Sequence, residues 1–186
     1  LAQGEAPIKE TLAASLIRLA NWKGDTPLID PFCGSGTIAI EACLIAQNIA
    51  PGFNREFVSE QWNIMPANIY DDYRDEADKM ADYDKEIEVY ASDIDPEMVE
   101  IAKRNAEEVG LSDIIKFSVK DVNTLTIDTE EPVALIGNPP YGERIGDREE
   151  VEEMYRYIGK LMKQHPFLST YILTSNKEFE YLVDRK

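Results

Sequence analysis

The chain has 186 residues, and its 19 Lys and Arg against 36 Asp and Glu give a net charge of −17 at pH 7. The length fits a single domain, and 44% hydrophobic residues suffice for a buried core, which excludes a disordered chain. No apolar run approaches the roughly 18 residues of a membrane span, and two cysteines with one histidine are too few for a structural zinc site. We therefore expect no metal and no membrane association, and the cysteine content predicts a reducing, cytoplasmic setting.

Helical and strand patterns alternate along the sequence. Helices are predicted over residues 8–22, 36–48, 96–109 and 149–163, and strands over 27–32, 86–92, 114–119, 132–137 and 169–174. Residues 51–86 form an acidic insertion with helical character between 66 and 84. This alternation predicts an α/β fold with a mainly parallel sheet, in which ligands bind beyond the carboxyl ends of the strands.

The helix that follows Asp95 has the clearest boundaries. Asp95 is placed as its N-cap, Pro96 occupies the first helical position, and Gly110 provides the stop. The residues expected on its buried face are Met98, Ile101, Ala102, Ala106 and Val109.

A glycine-rich turn follows the first strand in the segment DPFCGSGT, residues 30–37. Gly34 and Gly36 permit a tight turn, and the next helix directs its N-terminal N–H groups at any ligand there. GSGTIA formally matches a dinucleotide-binding pattern, but Asp30 just before it would repel a pyrophosphate. A ligand whose ammonium group meets Asp30 fits better, although an ordinary strand–turn–helix corner stays open.

Two further strand ends carry carboxylates. Asp93 ends its strand directly before the capped helix, where it can accept hydrogen bonds from vicinal ribose hydroxyls. Asp121 follows the third strand and can accept a hydrogen bond from an adenine amine. With Asp30, these carboxylates predict a site for a nucleoside that bears a positive charge.

The fourth strand runs into Asn138, Pro139, Pro140, Tyr141 and Gly142. The prolines fix φ and lack N–H groups, so we expect a rigid loop whose carbonyls face outward. The side-chain carbonyl of Asn138 beside the carbonyl of Pro139 suits an exocyclic –NH₂ group, and Tyr141 offers a flat face for a base. Such acceptors stabilise the positive charge that develops when the amine attacks a methyl group.

Together, DPFCGSGT, ASDIDPEMVEIAKRNAEEVG, the Asp121 strand end and NPPYGERIG resemble a class I S-adenosylmethionine-dependent amino-methyltransferase, which has a Rossmann-like fold with helices on both sheet faces. APGFNREF and TSNKEFE narrow the resemblance to bacterial THUMP-domain-containing enzymes that make N2-methylguanosine in large-subunit ribosomal RNA. NPPY alone also occurs in DNA adenine and protein glutamine methyltransferases.

The resemblance implies roles for two sets of residues. The S-adenosylmethionine site would comprise Asp30, Phe32, Cys33, Gly34, Ser35, Gly36, Thr37, Asp93, Ile94, Asp121, Val122 and Asn138. The catalytic loop would comprise Asn138, Pro139, Pro140 and Tyr141, which would hold a guanine splayed out of its stack.

The resemblance also implies features outside the sequence. Affinity for ribosomal RNA would come mostly from a THUMP module that residues 1–186 do not include. That agrees with the acidity of the chain, because neutralisation of phosphates by Lys and Arg drives RNA binding. The last two strands of the family fold are likewise expected to be missing.

Other functions that the sequence leaves open are methylation of DNA adenine or protein glutamine, a non-catalytic nucleoside-binding module and a nicotinamide-dependent oxidoreductase. Arg144 would pair with a nearby carboxylate or contact RNA phosphate.

Overall fold

The computed structural model describes residues 8–66, 68–141 and 147–183. In this part of the chain the strands are β1 Leu28–Asp30, β2 Val89–Asp93, β3 Ile115–Val119, β4 Val133–Gly137 and β5 Leu168–Ile172. The helices are α1 Glu10–Leu19, α2 Thr37–Ala46, α3 Ile69–Met80, α4 Pro96–Glu108, α5 Asp147–Gln164 and α6 Phe179–Leu182, with 3₁₀ turns at Val58–Gln61 and Val122–Thr124. The predicted strands and helices are confirmed with boundaries shifted by a few residues, and α6 and the 3₁₀ turns were not predicted.

The strands form one parallel sheet in the order β3-β2-β1-β4-β5. After β1 the chain adds β2 and β3 on one side, and then crosses back to add β4 and β5 on the other. The carboxyl ends of β1 and β4 are therefore neighbours at the point where the winding direction reverses. Doubly wound sheets bind ligands in the crevice at such a point.

Helices cover both faces of the sheet, as predicted. Leu28 of β1 and Ile136 of β4 pack in one core cluster with residues of α1, α2 and α4. Leu135, the neighbour of Ile136 in the strand, packs on the other face against Leu161 of α5. Alternate residues of β4 are thus buried on opposite sides, which explains why this strand is an uninterrupted apolar run.

The capped helix α4 begins and ends as predicted. The Asp95 side chain accepts a 2.8 Å hydrogen bond from the N–H of Glu97, and Gly110 has a left-handed φ of 75°. The predicted buried face is partly wrong. Ala102 and Ala106 are buried, but the fully buried positions also include Val99 and Asn105, whereas Met98, Ile101 and Val109 are only half-buried. Asn105 is buried because its amide bonds to a backbone carbonyl of the β1–α2 loop.

The described residues of the predicted insertion, 51–86, lie outside the core. The described part of residues 51–86 contributes one 3₁₀ turn and α3, neither of which has a buried residue. None of the helices in the described part of the chain combines the length and the apolar character needed to cross a bilayer.

Candidate active site

A cavity of about 510 Å³ opens beyond the carboxyl ends of the strands. Most of the predicted site residues line it: Phe32, Cys33, Gly34, Ser35, Thr37, Asp93, Ile94, Asp121, Val122, Asn138 and Pro140. The predicted residues that are not among its lining are Asp30, Gly36, Pro139 and Tyr141. The loops after β1, β2, β3 and β4 therefore share one cavity.

The β1–α2 loop is shaped by glycine geometry and by contacts with α4. Gly34 and Gly36 have φ values of 50° and 85°, which residues with a Cβ rarely adopt. A Cβ on Gly36 would lie 3.0 Å from the Cβ of Ala102, so this glycine permits α4 to approach. The buried amide of Asn105 donates to the carbonyl of Ser35 at 2.9 Å. At Gly34, by contrast, an added Cβ would meet no atom within 4 Å, and this open space belongs to the cavity.

The carboxylate of Asp93 connects two loops. Its Oδ2 accepts a 2.9 Å hydrogen bond from the N–H of Gly34, and its Oδ1 accepts one of 3.0 Å from the N–H of Asp95. A carboxylate offers about four lone-pair positions, so both oxygens retain acceptor capacity toward the cavity. Asp93 therefore organises the glycine turn, a role that the sequence did not indicate, and can still accept hydrogen bonds from a ligand.

Asp30 lies beneath the glycine turn and is completely buried. Its Oδ1 accepts a 3.2 Å hydrogen bond from the N–H of Phe32, and its Oδ2 has no hydrogen-bond partner. Burial raises the pKa of this carboxyl from 3.8 to about 8; the Phe32 hydrogen bond opposes that shift, and the charge of Asp93 adds to it. This shift favours the protonated carboxyl, and the predicted contact of Asp30 with an ammonium group stays a prediction.

The carboxyl end of β3 contributes both apolar and polar side chains to the cavity. Asp121 Oδ1 accepts a 2.9 Å hydrogen bond from the N–H of Asn123 and so caps the following 3₁₀ turn. Val122 in that turn is buried, while Ile94 after β2 is 64% exposed, and both line the cavity. Such apolar side chains beside a carboxylate suit a flat heterocycle with an amine.

The loop after β4 lies next to the glycine turn. Gly137 is close enough to Phe32 that an added Cβ would lie 3.0 Å from its ring. Asn138 is half-buried, and its Oδ1 accepts a 2.7 Å hydrogen bond from the hydroxyl of Tyr141. An amide oxygen has two lone pairs, so Oδ1 can accept one further hydrogen bond.

The prediction that the carbonyls of this loop face outward is wrong for Pro140. Its carbonyl oxygen lies 3.5 Å from the hydroxyl of the fully buried Tyr155 in α5. Pro139 is itself buried, two residues after the last residue of β4 that pairs with β5. Gly142 and Arg144 lie outside the described residues.

Sequence reasoning missed several residues that line the cavity: Ile8, Pro31, Ile38, Asp95, Met98, Lys120 and Met154. Lys120 adjoins Asp121 at a strand end and could have been found there. Ile8 and Met154 come from segments remote in sequence, before α1 and within α5, so no local pattern indicates them.

Charge in the cavity favours a cationic ligand. Asp93, Asp95 and Asp121 line it, and Lys120 is the single Lys or Arg among its described lining residues. The described residues contain no group of three or more His, Cys, Asp or Glu side chains that could hold a metal ion. Burial also raises the pKa of the Cys33 thiol, which keeps it protonated and unreactive.

Curated relatives share most of this sequence. The chain is 53% identical over 184 residues to the Bacillus subtilis protein YpsC, an RNA methyltransferase by name, and the match covers 99% of the chain and 48% of YpsC. It is 43% identical over 169 residues to the ribosomal RNA large subunit methyltransferase K/L of Shewanella frigidimarina, with coverage of 87% and 23%. The chain therefore spans about half or less of these relatives.

Solved structures share the fold closely. A Listeria monocytogenes protein described as a predicted N6-adenine-specific DNA methylase superposes with a TM-score of 0.94 at 50% identity, over 100% of this chain and 49% of that one. SMU.472, a methyltransferase by description whose structure contains SAH, superposes with a TM-score of 0.92 at 44% identity, over 98% and 48%. The sequence profile of the UPF0020 family, the RMKL-like methyltransferase domain, matches residues 1–186. The chain belongs to this family of methyltransferase domains.

Proposed function

We propose that this domain transfers a methyl group from S-adenosylmethionine to the exocyclic N2 amine of a guanine in large-subunit ribosomal RNA. The observation that carries the proposal is that Asn138, a fixed amide acceptor, lines the same cavity as Gly34 and Asp93. The SAH in SMU.472 and the K/L name of the Shewanella relative support the cofactor and the substrate class.

The residues present fit the cofactor. Open space beside Gly34 leaves room for the methionine part, and the carboxylates of Asp93 and Asp121 suit ribose hydroxyls and an adenine amine. Ile94 and Val122 would contact the adenine ring. A sulfonium cation is also compatible with the acidic lining. When bound, S-adenosylmethionine supplies the electrophilic methyl group.

The chain itself would hold and polarise the amine. The second lone pair of Asn138 Oδ1 accepts a hydrogen bond from the amine, and the carbonyl of Pro139 is proposed as the second acceptor. These contacts align the nitrogen lone pair with the methyl group and stabilise the charge that forms on the nitrogen. Tyr141, which is 37% exposed, would stack on the base while its hydroxyl orients Asn138. Proline residues on both sides of the acceptor carbonyl limit loop motion.

The test uses a strain of the source organism that lacks the gene. Its large-subunit ribosomal RNA should lack one N2-methylguanosine by nucleoside mass spectrometry, and the wild-type gene should restore it, whereas an Asn138→Ala gene should not. Purified protein with labelled cofactor should likewise methylate ribosomal RNA from this strain. Unchanged N2-methylguanosine in the deletion strain would overturn the ribosomal guanine substrate.

A second candidate is methylation of N6 in DNA adenine, which the description of the Listeria protein favours. The same labelled assay distinguishes the candidates when DNA from the deletion strain replaces RNA. Label in N6-methyladenine, with none in RNA, would select the DNA reaction. The overall charge of −17 implies that the phosphate contacts for either nucleic acid come largely from outside residues 1–186.

A further inference from the structure

A buried network of hydrogen bonds lies behind the loop of residues 138–141. Tyr155 of α5 is fully buried, and its ring packs edge-on against Phe179 with centroids 4.9 Å apart. Its hydroxyl lies 2.8 Å from the hydroxyl of Thr174 and 3.5 Å from the carbonyl oxygen of Pro140. A single hydroxyl thus connects α5, the segment after β5 and the loop proposed to hold the target base.

One assignment of the protons gives every group in this network a hydrogen-bond partner within it. The N–H of Asn176 donates to Thr174 Oγ1 at 3.0 Å, and the carbonyl of Pro140 can only accept. Each hydroxyl carries one proton, so Thr174 donates to Tyr155, and Tyr155 donates to Pro140. Burial is also the main cause that raises the pKa of Tyr155, so its hydroxyl keeps the proton it donates.

The segment Thr174–Glu178 is itself held in place. The N–H of Glu178 donates to Asn176 Oδ1 at 2.8 Å, and the carboxylate of Glu178 receives a 3.0 Å hydrogen bond from Arg148 near the start of α5. In the sequence, this segment was notable only because TSNKEFE resembles the corresponding segment of the methyltransferase family. In the structure it joins α5 at Arg148 and again at Tyr155.

The prolines restrict φ within this loop but leave it few hydrogen-bonding groups through which the rest of the fold can hold it. Pro139 and Pro140 lack N–H groups, so the described backbone of this loop cannot be fixed by donors at these two positions. The carbonyl of Pro140 is adjacent to the residue whose own carbonyl is proposed to accept from the amine. A displacement of about 1 Å at a reacting centre can cost on the order of 10²-fold in rate.

We propose that Tyr155, oriented by Thr174, is a positioning residue that fixes the methyl-acceptor loop through the carbonyl of Pro140. This role rests on the proposed methyl transfer. Tyr155 is not among the residues that line the cavity, and it acts through the backbone of Pro140.

The test compares Tyr155→Phe with Tyr157→Phe. Tyr157 lies on the same helix and donates its hydroxyl to the carbonyl of Leu125 at 2.9 Å, away from the loop. Both variants lose one hydroxyl that donates to a backbone carbonyl, and Tyr155→Phe also loses the hydrogen bond with Thr174. With ribosomal RNA from the deletion strain, we expect Tyr155→Phe to lower kcat by about 10-fold or more while its SAH affinity matches that of Tyr157→Phe.

Thr174 supplies the independent variants. Thr174→Val should lower kcat as Tyr155→Phe does, and Thr174→Ser, which retains the hydroxyl, should restore it. The double variant Tyr155→Phe with Thr174→Val should be no slower than either single variant, because both substitutions interrupt the same series of hydrogen bonds to Pro140.

Three outcomes separate the hypotheses. Equal kcat for Tyr155→Phe and Tyr157→Phe, in the presence of wild-type turnover, would overturn the positioning role and leave the proposed function intact. Parallel losses of kcat, SAH affinity and melting temperature in Tyr155→Phe would also overturn it in favour of a general structural role. A wild-type protein that methylates no ribosomal RNA would overturn the proposed function itself.

Discussion

Asp30→Asn tests a carboxyl that is completely buried and has one oxygen without a hydrogen-bond partner. The unfolded chain ionises this group near its ordinary pKa of 3.8, whereas the folded protein keeps it protonated up to a pKa of about 8. Between these values the folded state binds more protons than the unfolded state, so the free energy of unfolding falls as pH rises. The slope for one proton is about 1.4 kcal/mol per pH unit well below the folded pKa, and it decreases as the pH approaches that pKa. From about pH 6 to 8, the wild type should therefore lose about 2 kcal/mol relative to Asp30→Asn, which does not ionise.

Urea unfolding followed by tryptophan fluorescence measures this difference, since Trp22 is buried in the core. Other titrating groups cancel because both proteins contain them. Asp113→Asn is the control, because it makes the same substitution at a carboxyl that is exposed in a turn. A wild-type minus Asp30→Asn difference that stays constant between pH 6 and 8 would refute the reasoning and show that Asp30 is ionised in the folded protein.

Four further outcomes are expected. Asn138→Ala should retain SAH affinity by calorimetry and lower methyl transfer by roughly 10²-fold, the usual cost of a lost preorganised polar contact; near-normal turnover would contradict the mechanism. Asp93→Ala should weaken SAH binding because it removes both a ligand contact and the acceptor for the turn, and unchanged affinity would exclude the ribose role. Gly36→Ala should destabilise the protein by about 1–3 kcal/mol, because φ is positive there and the new Cβ would meet Ala102. If the cofactor ammonium reaches Asp30, SAH binding near pH 7 should release a proton, detectable as a buffer-dependent binding enthalpy, and affinity should rise toward pH 8.

Local patterns predicted the elements because their causes are local. Asp95, Pro96 and Gly110 satisfy or terminate the ends of α4 with groups within a few residues, so sequence alone located that helix. The sequence predicted only part of the buried face of α4 correctly. Met98 lines the cavity instead of the core, and Asn105 is buried for a hydrogen bond to a loop 70 residues away.

The sequence by itself determined the strand–helix alternation, the glycine turn and the identity of the side chains at four strand ends, because each depends on neighbours in the chain. Only the tertiary structure decided which of those ends meet. The order β2-β1-β4 brings Asp93, Gly34 and Asn138 into one cavity, because β2 and β4 pair with opposite edges of β1. Burial decided the rest. The pKa of Asp30 is raised, and the hydroxyl of Tyr155 reaches the carbonyl of Pro140, because solvent exclusion and contacts between remote segments arise only when the chain is packed.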